Sequence, residues 1–175
     1  MRYHAVTRNQ PVAQGGPYDD NDPDRHFGVR RSILINATPE RIWREFETFE
    51  RLREWFGRGH RLLKYEPRVG GDVLLEVDHQ DKTLRYGGRV LVYNRPSELT
   101  FENDWIPNDG WLAPTLITFR LAPALGGTLV EIFHHSIENV GPGADEWHAG
   151  FEKGWDMKHL LALKQIVEGR ENVAR

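Results

Sequence analysis

Between Arg61 and Ile137 the chain is a run of short segments in which apolar and polar residues alternate, and after it only one long helical segment remains. Alternation at period two turns one set of side chains to each face of a strand. Asp72–Asp78 sets Val73, Leu75 and Val77 on one face, and Glu98–Trp105 groups Leu99, Phe101, Asn103 and Trp105. Thr115–Leu121 groups Thr115, Ile117, Phe119 and Leu121, and Thr128–Ile137 sets Val130, Ile132 and His134 against Glu131, Phe133 and His135. His60–Tyr65 is a weaker strand, and Thr83–Asn94 continues through Gly87-Gly88, which reads as a bulge or bend rather than an end. Arg30–Asn36 adds an earlier strand. Short strands joined by short turns imply an antiparallel meander with one wet and one dry face. Such a sheet cannot bury its dry face alone, so a helix must cover it.

The helical segments are marked by different signals. Thr38 is suited to N-cap a helix with Pro39 at its first position and Glu40 near its positive end. Ile42, Trp43, Phe46 and Phe49 follow as an apolar stripe, Glu50–Phe56 adds a second short helix with Leu52, Trp55 and Phe56, and Gly57 stops it. Asp145–Glu168 reads as one helix of about six turns, with Trp147, Phe151, Gly154, Met157 and Leu161 along one stripe. A mid-helix glycine costs about 1 kcal/mol relative to alanine. Gly150 and Gly154 therefore either admit close packing of the sheet backbone or leave volume for a pocket.

Composition narrows the function classes. The net charge of −3 comes from interspersed residues, which gives no field for nucleic acid or an anionic membrane. With no cysteine, disulfides and thiolate chemistry are excluded. No apolar run approaches the roughly 20 residues of a membrane span, and the N-terminus has no signal-like apolar stretch, so a cytoplasmic location without membrane insertion is expected. Residues 1–28 read as a mobile arm, 29–169 as the folded domain and 170–175 as a tail. The arm is an extension without a role, a lid, or an element exchanged in a homodimer.

The order of elements, with ATPERIW at 37–43, ERLREWF at 50–56, VGG at 69–71, RPSELTF at 95–101, GGT before His134 and GW at 154–155, resembles the activator-of-heat-shock-chaperone-ATPase-like branch of the START-like (Bet v 1-like) superfamily. The resemblance spans about Val29 to Glu168. It implies an α+β helix-grip fold: a curved antiparallel sheet of six or seven strands wrapped around a long C-terminal helix, with two short helices after the first strand. It also implies an internal cavity for lipid-like, aromatic or polyketide-like molecules. Two departures stand out, Val92 where an acidic residue is often found and His159 where leucine is usual.

Ligand-binding candidates are Trp55, Phe56, Val77, Phe101, Asn103, Trp105, Phe119, His134, Trp147, Phe151 and Gly154. Trp55, Phe56, Trp105 and Trp111 are expected near the open end, as an apolar mouth or as rim packing. His134 is either a hydrogen-bonded core residue or the best acid/base candidate. Asn103, on an inward face, needs partners from the protein, water or a ligand. Glu76, Glu102, Asp104 and Glu131 fall on outward faces and make no catalytic pair. His134 and His135 point to opposite faces, and His148 and His159 lie three turns apart, so no metal is expected, nor any other cofactor. The basic run Arg51, Arg53, Arg58, Arg61, Lys64 and Arg68 alternates with Glu54 and Glu66, as a solvated face does. The leading reading is non-enzymatic binding of a small apolar ligand. The alternatives are a polyketide cyclase or dehydratase using His134, and a regulatory protein that docks on a chaperone.

Overall fold

The computed structural model describes residues 28–57, 59–79 and 81–173. The arm expected at 1–28 lies outside these residues except for Gly28. Seven strands, β1 (Val29–Ile35), β2 (Arg61–Tyr65), β3 (Asp72–His79), β4 (Lys82–Asn94), β5 (Glu98–Ile106), β6 (Thr115–Ala124) and β7 (Gly127–His135), form one curled antiparallel sheet in the order β1-β7-β6-β5-β4-β3-β2. All pairs except β1–β7 join strands consecutive in the chain, as a meander requires.

The irregularity expected at Gly87-Gly88 lies elsewhere in the register. Val90 pairs with Phe101 but Val92 with Thr100, which makes Leu91 the extra residue of a bulge. The glycines serve close approach instead. Gly87 has φ +143, and a Cβ there would stand 2.0 Å from the Val73 carbonyl oxygen.

The concave face buries Val73, Leu75, Leu99, Phe101, Ile117, Phe119, Val130 and Ile132, each worth about 1.5–3 kcal/mol on removal from water. Helices α1 (Pro39–Trp43) and α2 (Phe49–Trp55) add Ile42, Trp43, Leu52 and Trp55 to this core. Thr38 caps α1 as expected, its Oγ1 accepting from the Arg41 amide at 3.2 Å, and Thr48 caps α2 the same way at 3.3 Å. The convex face departs from the expected wet surface. Thr100, Thr118, Glu131 and Phe133 are all buried on it. Arg30 lies 3.4 Å above the Phe133 ring and pairs with Glu131 at 2.9 Å, while Thr118 bonds both Thr100 and His135. Glu131 and His135, expected in solvent, are thus engaged across the sheet.

The C-terminal segment is two helices, α3 (Ala144–Gly154) and α4 (Lys158–Val173), rather than one continuous rod. At Trp155 the backbone turns to φ −79, ψ 84, and helical geometry resumes only at Lys158. The interruption is held from outside: Arg31 of β1 donates to the carbonyls of Trp155 (2.7 Å) and Glu152 (2.9 Å) and to the Glu152 carboxylate (2.9 Å). A guanidinium thereby satisfies carbonyls left open at the helix end. The break also resets the apolar stripe. Leu161, placed inward by continuous periodicity, is exposed, and Leu160, Leu163 and Val167 enter the core. Helix α4 runs to Val173, past the expected boundary at 169, while 174–175 lie outside the described residues. Among the described residues no helix is long and apolar enough to cross a membrane.

Candidate functional site

Where α3 gives way to α4, the chain leaves a cavity of about 140 Å³ between helix and sheet. Its walls are Leu75, Tyr86 and Ile117 from the sheet, Phe56 from the end of α2, and Phe151, Gly154 and Trp155 from the interrupted helix. Trp105 and Trp111 close the rim, and Asn103, His134, His60, Lys158 and His159 supply its polar atoms. A wider, more open groove of about 970 Å³ adjoins it, sharing His60, Trp105 and Phe151 and continuing past Val77, Ile106 and Trp147.

The glycine question is resolved by space. A Cβ on Gly150 or Gly154 would meet nothing within 4 Å, so neither glycine serves close packing. Gly154 borders the cavity and Gly150 the groove.

His134 anchors the floor, and its proton can be placed from its partners. The Trp155 indole Nε1 donates to His134 Nδ1 at 2.9 Å, and an indole cannot accept there, so Nδ1 is the bare nitrogen. The neutral ring therefore carries hydrogen on Nε2, which donates to Thr115 Oγ1 at 2.8 Å. Thr115 in turn donates to the Asn103 carbonyl (3.0 Å) and accepts from Asn103 Nδ2 (3.0 Å). The network fixes the imidazole by both nitrogens, and burial holds its pKa at about 3, with His135 and His148 adding to the shift. Protonating Nδ1 would set its hydrogen against the Trp155 indole N–H. His134 is thus the hydrogen-bonded core residue of the two expected alternatives, 1 % exposed, with the Phe151 ring centroid 4.1 Å away.

His159 is the polar group that sequence reasoning missed as a cavity residue, treating it as a departure from leucine and as too far from His148 to share a metal. Its Nδ1 lies 3.3 Å from the Trp55 carbonyl oxygen, which only accepts, so Nδ1 carries the hydrogen and Nε2 is a lone-pair acceptor. The ring sits between Phe56 (5.5 Å) and Trp155 (5.8 Å), and burial keeps it neutral by lowering its pKa. His60, whose pKa burial and nearby Lys158 also lower, bonds the Tyr86 hydroxyl at the cavity's other side.

The candidate residues separate into three groups. Phe56, Asn103, Trp105, His134, Phe151 and Gly154 converge on the cavity. Val77 and Trp147 line the groove instead. Trp55, Phe101 and Phe119 are fully buried beneath: Trp55 donates to the Glu45 carbonyl at 3.1 Å and packs on Phe46 and Phe119, so it plugs the core rather than shaping a mouth. The rim cluster is Trp105, Trp111 and Trp147, with Trp111–Trp147 centroids 5.0 Å apart.

Of the basic run, Arg61 pairs with Glu76 and Asp78, Lys64 with Asp72, Arg68 with Glu66, and Arg51 with the buried Glu45. Arg58 lies outside the described residues. Among the described residues no group of three histidine or carboxylate side chains is assembled as a metal centre would need.

The family model described as "Activator of Hsp90 ATPase homolog 1-like protein" matches residues 36–168. No protein of curated function matches the sequence significantly. Among solved structures, a protein from Rhodobacter sphaeroides superposes with TM-score 0.64 at 22% identity, covering 84% of this chain and 95% of its own. The Aha1 dimer from Colwellia psychrerythraea gives TM-score 0.53 at 19% identity, covering 81% and 96%. CalU16 from Micromonospora echinospora gives 0.55 at 19%, covering 80% and 75%. At such identities the likeness speaks for the fold.

Proposed function

The chain belongs to the Activator of Hsp90 ATPase homolog 1-like family, and from that premise and the cavity we propose that it binds a small apolar ligand without transforming it. The observation that carries this reading is the partly open, largely aromatic cavity at the break between α3 and α4. Its volume, about 140 Å³, is close to that of cavities known to admit one benzene ring and well short of the roughly 300 Å³ at which drug-sized pockets begin. The occupant is therefore a single ring, or one ring of a larger molecule whose remainder lies in the adjoining groove. A sterol or a lipid chain does not fit inside.

Catalysis of the cyclase type draws no support from His134, whose Nδ1 lone pair is committed to Trp155. The family's description favours a second reading, docking on a chaperone, alone or as a homodimer. The self-paired basic run gives that reading no free acidic-partner surface at Arg61, Lys64 or Arg68. A pull-down with the chaperone measures it separately.

The test of ligand binding is thermal unfolding with toluene. Ligand at a hundredfold excess over its Kd stabilises a folded protein by about 2.7 kcal/mol, a rise of several degrees. Gly154→Leu, which places a side chain in open space at the cavity wall, is expected to abolish that rise while leaving unliganded stability intact. Equal responses of the two proteins to toluene would place binding elsewhere and end this reading.

A further inference from the structure

We propose that the cavity is selective for a ring bearing a hydrogen-bond-donating hydroxyl, a phenol-type compound, with His159 Nε2 as the receiving atom and Asn103 Oδ1 as a second acceptor. This rests on the ligand-binding reading above and names the chemistry of its occupant.

The inference begins with what each polar atom at the wall has left to offer. Trp155 consumes the acceptor of His134, and Thr115 consumes its donor. Asn103 spends its Nδ2 on Thr115 and thereby turns Oδ1 into the free end of its amide. His159 spends its only hydrogen on the Trp55 carbonyl. Its Nε2 makes no hydrogen bond among the described residues and is not sealed from solvent, and the cavity that His159 lines is the space we assign to it. Asn103 Oδ1 stands in the same position by the same argument.

Two acceptors on a largely aromatic wall favour a ligand that donates a hydrogen bond. A hydroxyl, with its one hydrogen, compensates one of them, whereas an apolar ring of equal shape buries both unpaired, which costs about 1–3 kcal/mol per group. A ligand with only acceptors leaves both of these atoms unpaired as well, whatever it accepts from Lys158 or from the second Asn103 N–H. The His159 ring is held in place for this, flanked by Phe56 and Trp155 and tied to the backbone of α2. Volume restricts the frame to one ring. Aromatic walls suit a flat one, since Phe151 and Trp155 present ring surface there.

The experiment is calorimetric titration of the intact protein with phenol, toluene and anisole, together with the ¹⁵N spectrum of the histidine side chains. Phenol is expected to bind at least about tenfold more tightly than toluene or anisole, one lost hydrogen bond at a buried acceptor being worth about that factor. Phenol alone is expected to shift the His159 Nε2 resonance. His159→Phe keeps a flat ring and removes the acceptor, so it is expected to bring phenol down to toluene's affinity. The spectral readout holds if that variant fails to fold. Equal affinities of phenol and toluene, with Nε2 unmoved, would overturn the hydroxyl selectivity and leave apolar binding standing. Binding of none of the three would overturn both.

Discussion

At the scale of single residues, the proton positions make opposite demands on two tryptophans of the same site. The Trp155 indole donates to His134, whereas the buried Trp111 indole N–H has no acceptor among the described residues. Trp155→Phe leaves His134 Nδ1 without its donor, which costs about 1–3 kcal/mol, while Trp111→Phe removes a group that is already unsatisfied. Denaturant titration is therefore expected to show Trp155→Phe at least about 1 kcal/mol the more damaging, although Trp111 is the more buried ring. The histidines set the acid side of stability. His134 has its folded pKa at about 3 against an ordinary 6.5, so the unfolded chain takes up the proton first. Its contribution is complete above about pH 6.5 and is lost as pH falls toward 3, approaching 1.4 kcal/mol per pH unit. His60 and His159 are shifted in the same direction and steepen the loss. Unfolding midpoints in urea at about pH 7.5, 6 and 5 are expected to fall progressively, and equal midpoints would contradict the buried neutral network.

At the scale of elements, the contrast between α1 and the α3–α4 break shows what the chain declares locally. Thr38 and Pro39 announce a helix start because the cap and the helix lie within a few residues. The strands β3, β5, β6 and β7 were legible because period-two alternation is a local signal, and their inward residues Val73, Leu99, Phe101, Ile117 and Ile132 are buried as expected. The break was not legible. It depends on Arg31, more than a hundred residues upstream, reaching the carbonyls of Trp155 and Glu152, and no neighbour in sequence reports that contact. The consequence propagates: continuous periodicity turns Leu161 inward where the structure buries Leu160, and the same shift carries His159 to the cavity wall. The burial of Glu131 and Phe133 on the convex face has the same origin, since alternation assumes that one side of the sheet is wet. Gly150 offers a check on α3 as an independent element. With open space where its Cβ would stand, Gly150→Ala is expected to raise stability by up to about 1 kcal/mol through helix propensity alone. Destabilisation on thermal unfolding would mean that the glycine packs after all.

At the scale of the whole molecule, the sheet and α4 supply a dry core, and the site exists because the covering helix is interrupted above one end of it. Family and fold were readable from ordered motifs spread from residue 37 to 155, and six of the eleven candidate positions converge on the cavity. The remaining five reveal where period-based reasoning stops, because inward orientation alone cannot tell a wall from the core beneath it. Phe101 and Phe119 face inward but lie under other rings. The central claim is that a ring-sized space stands open at the break. Crystals of the protein soaked with iodobenzene test it most directly, since the iodine locates itself by anomalous scattering. The account expects one ordered ring among Phe56, Phe151, Trp155 and His159, with the side chains of the empty protein unmoved. A space already filled by those side chains, with iodine found only on the outer surface, would contradict it.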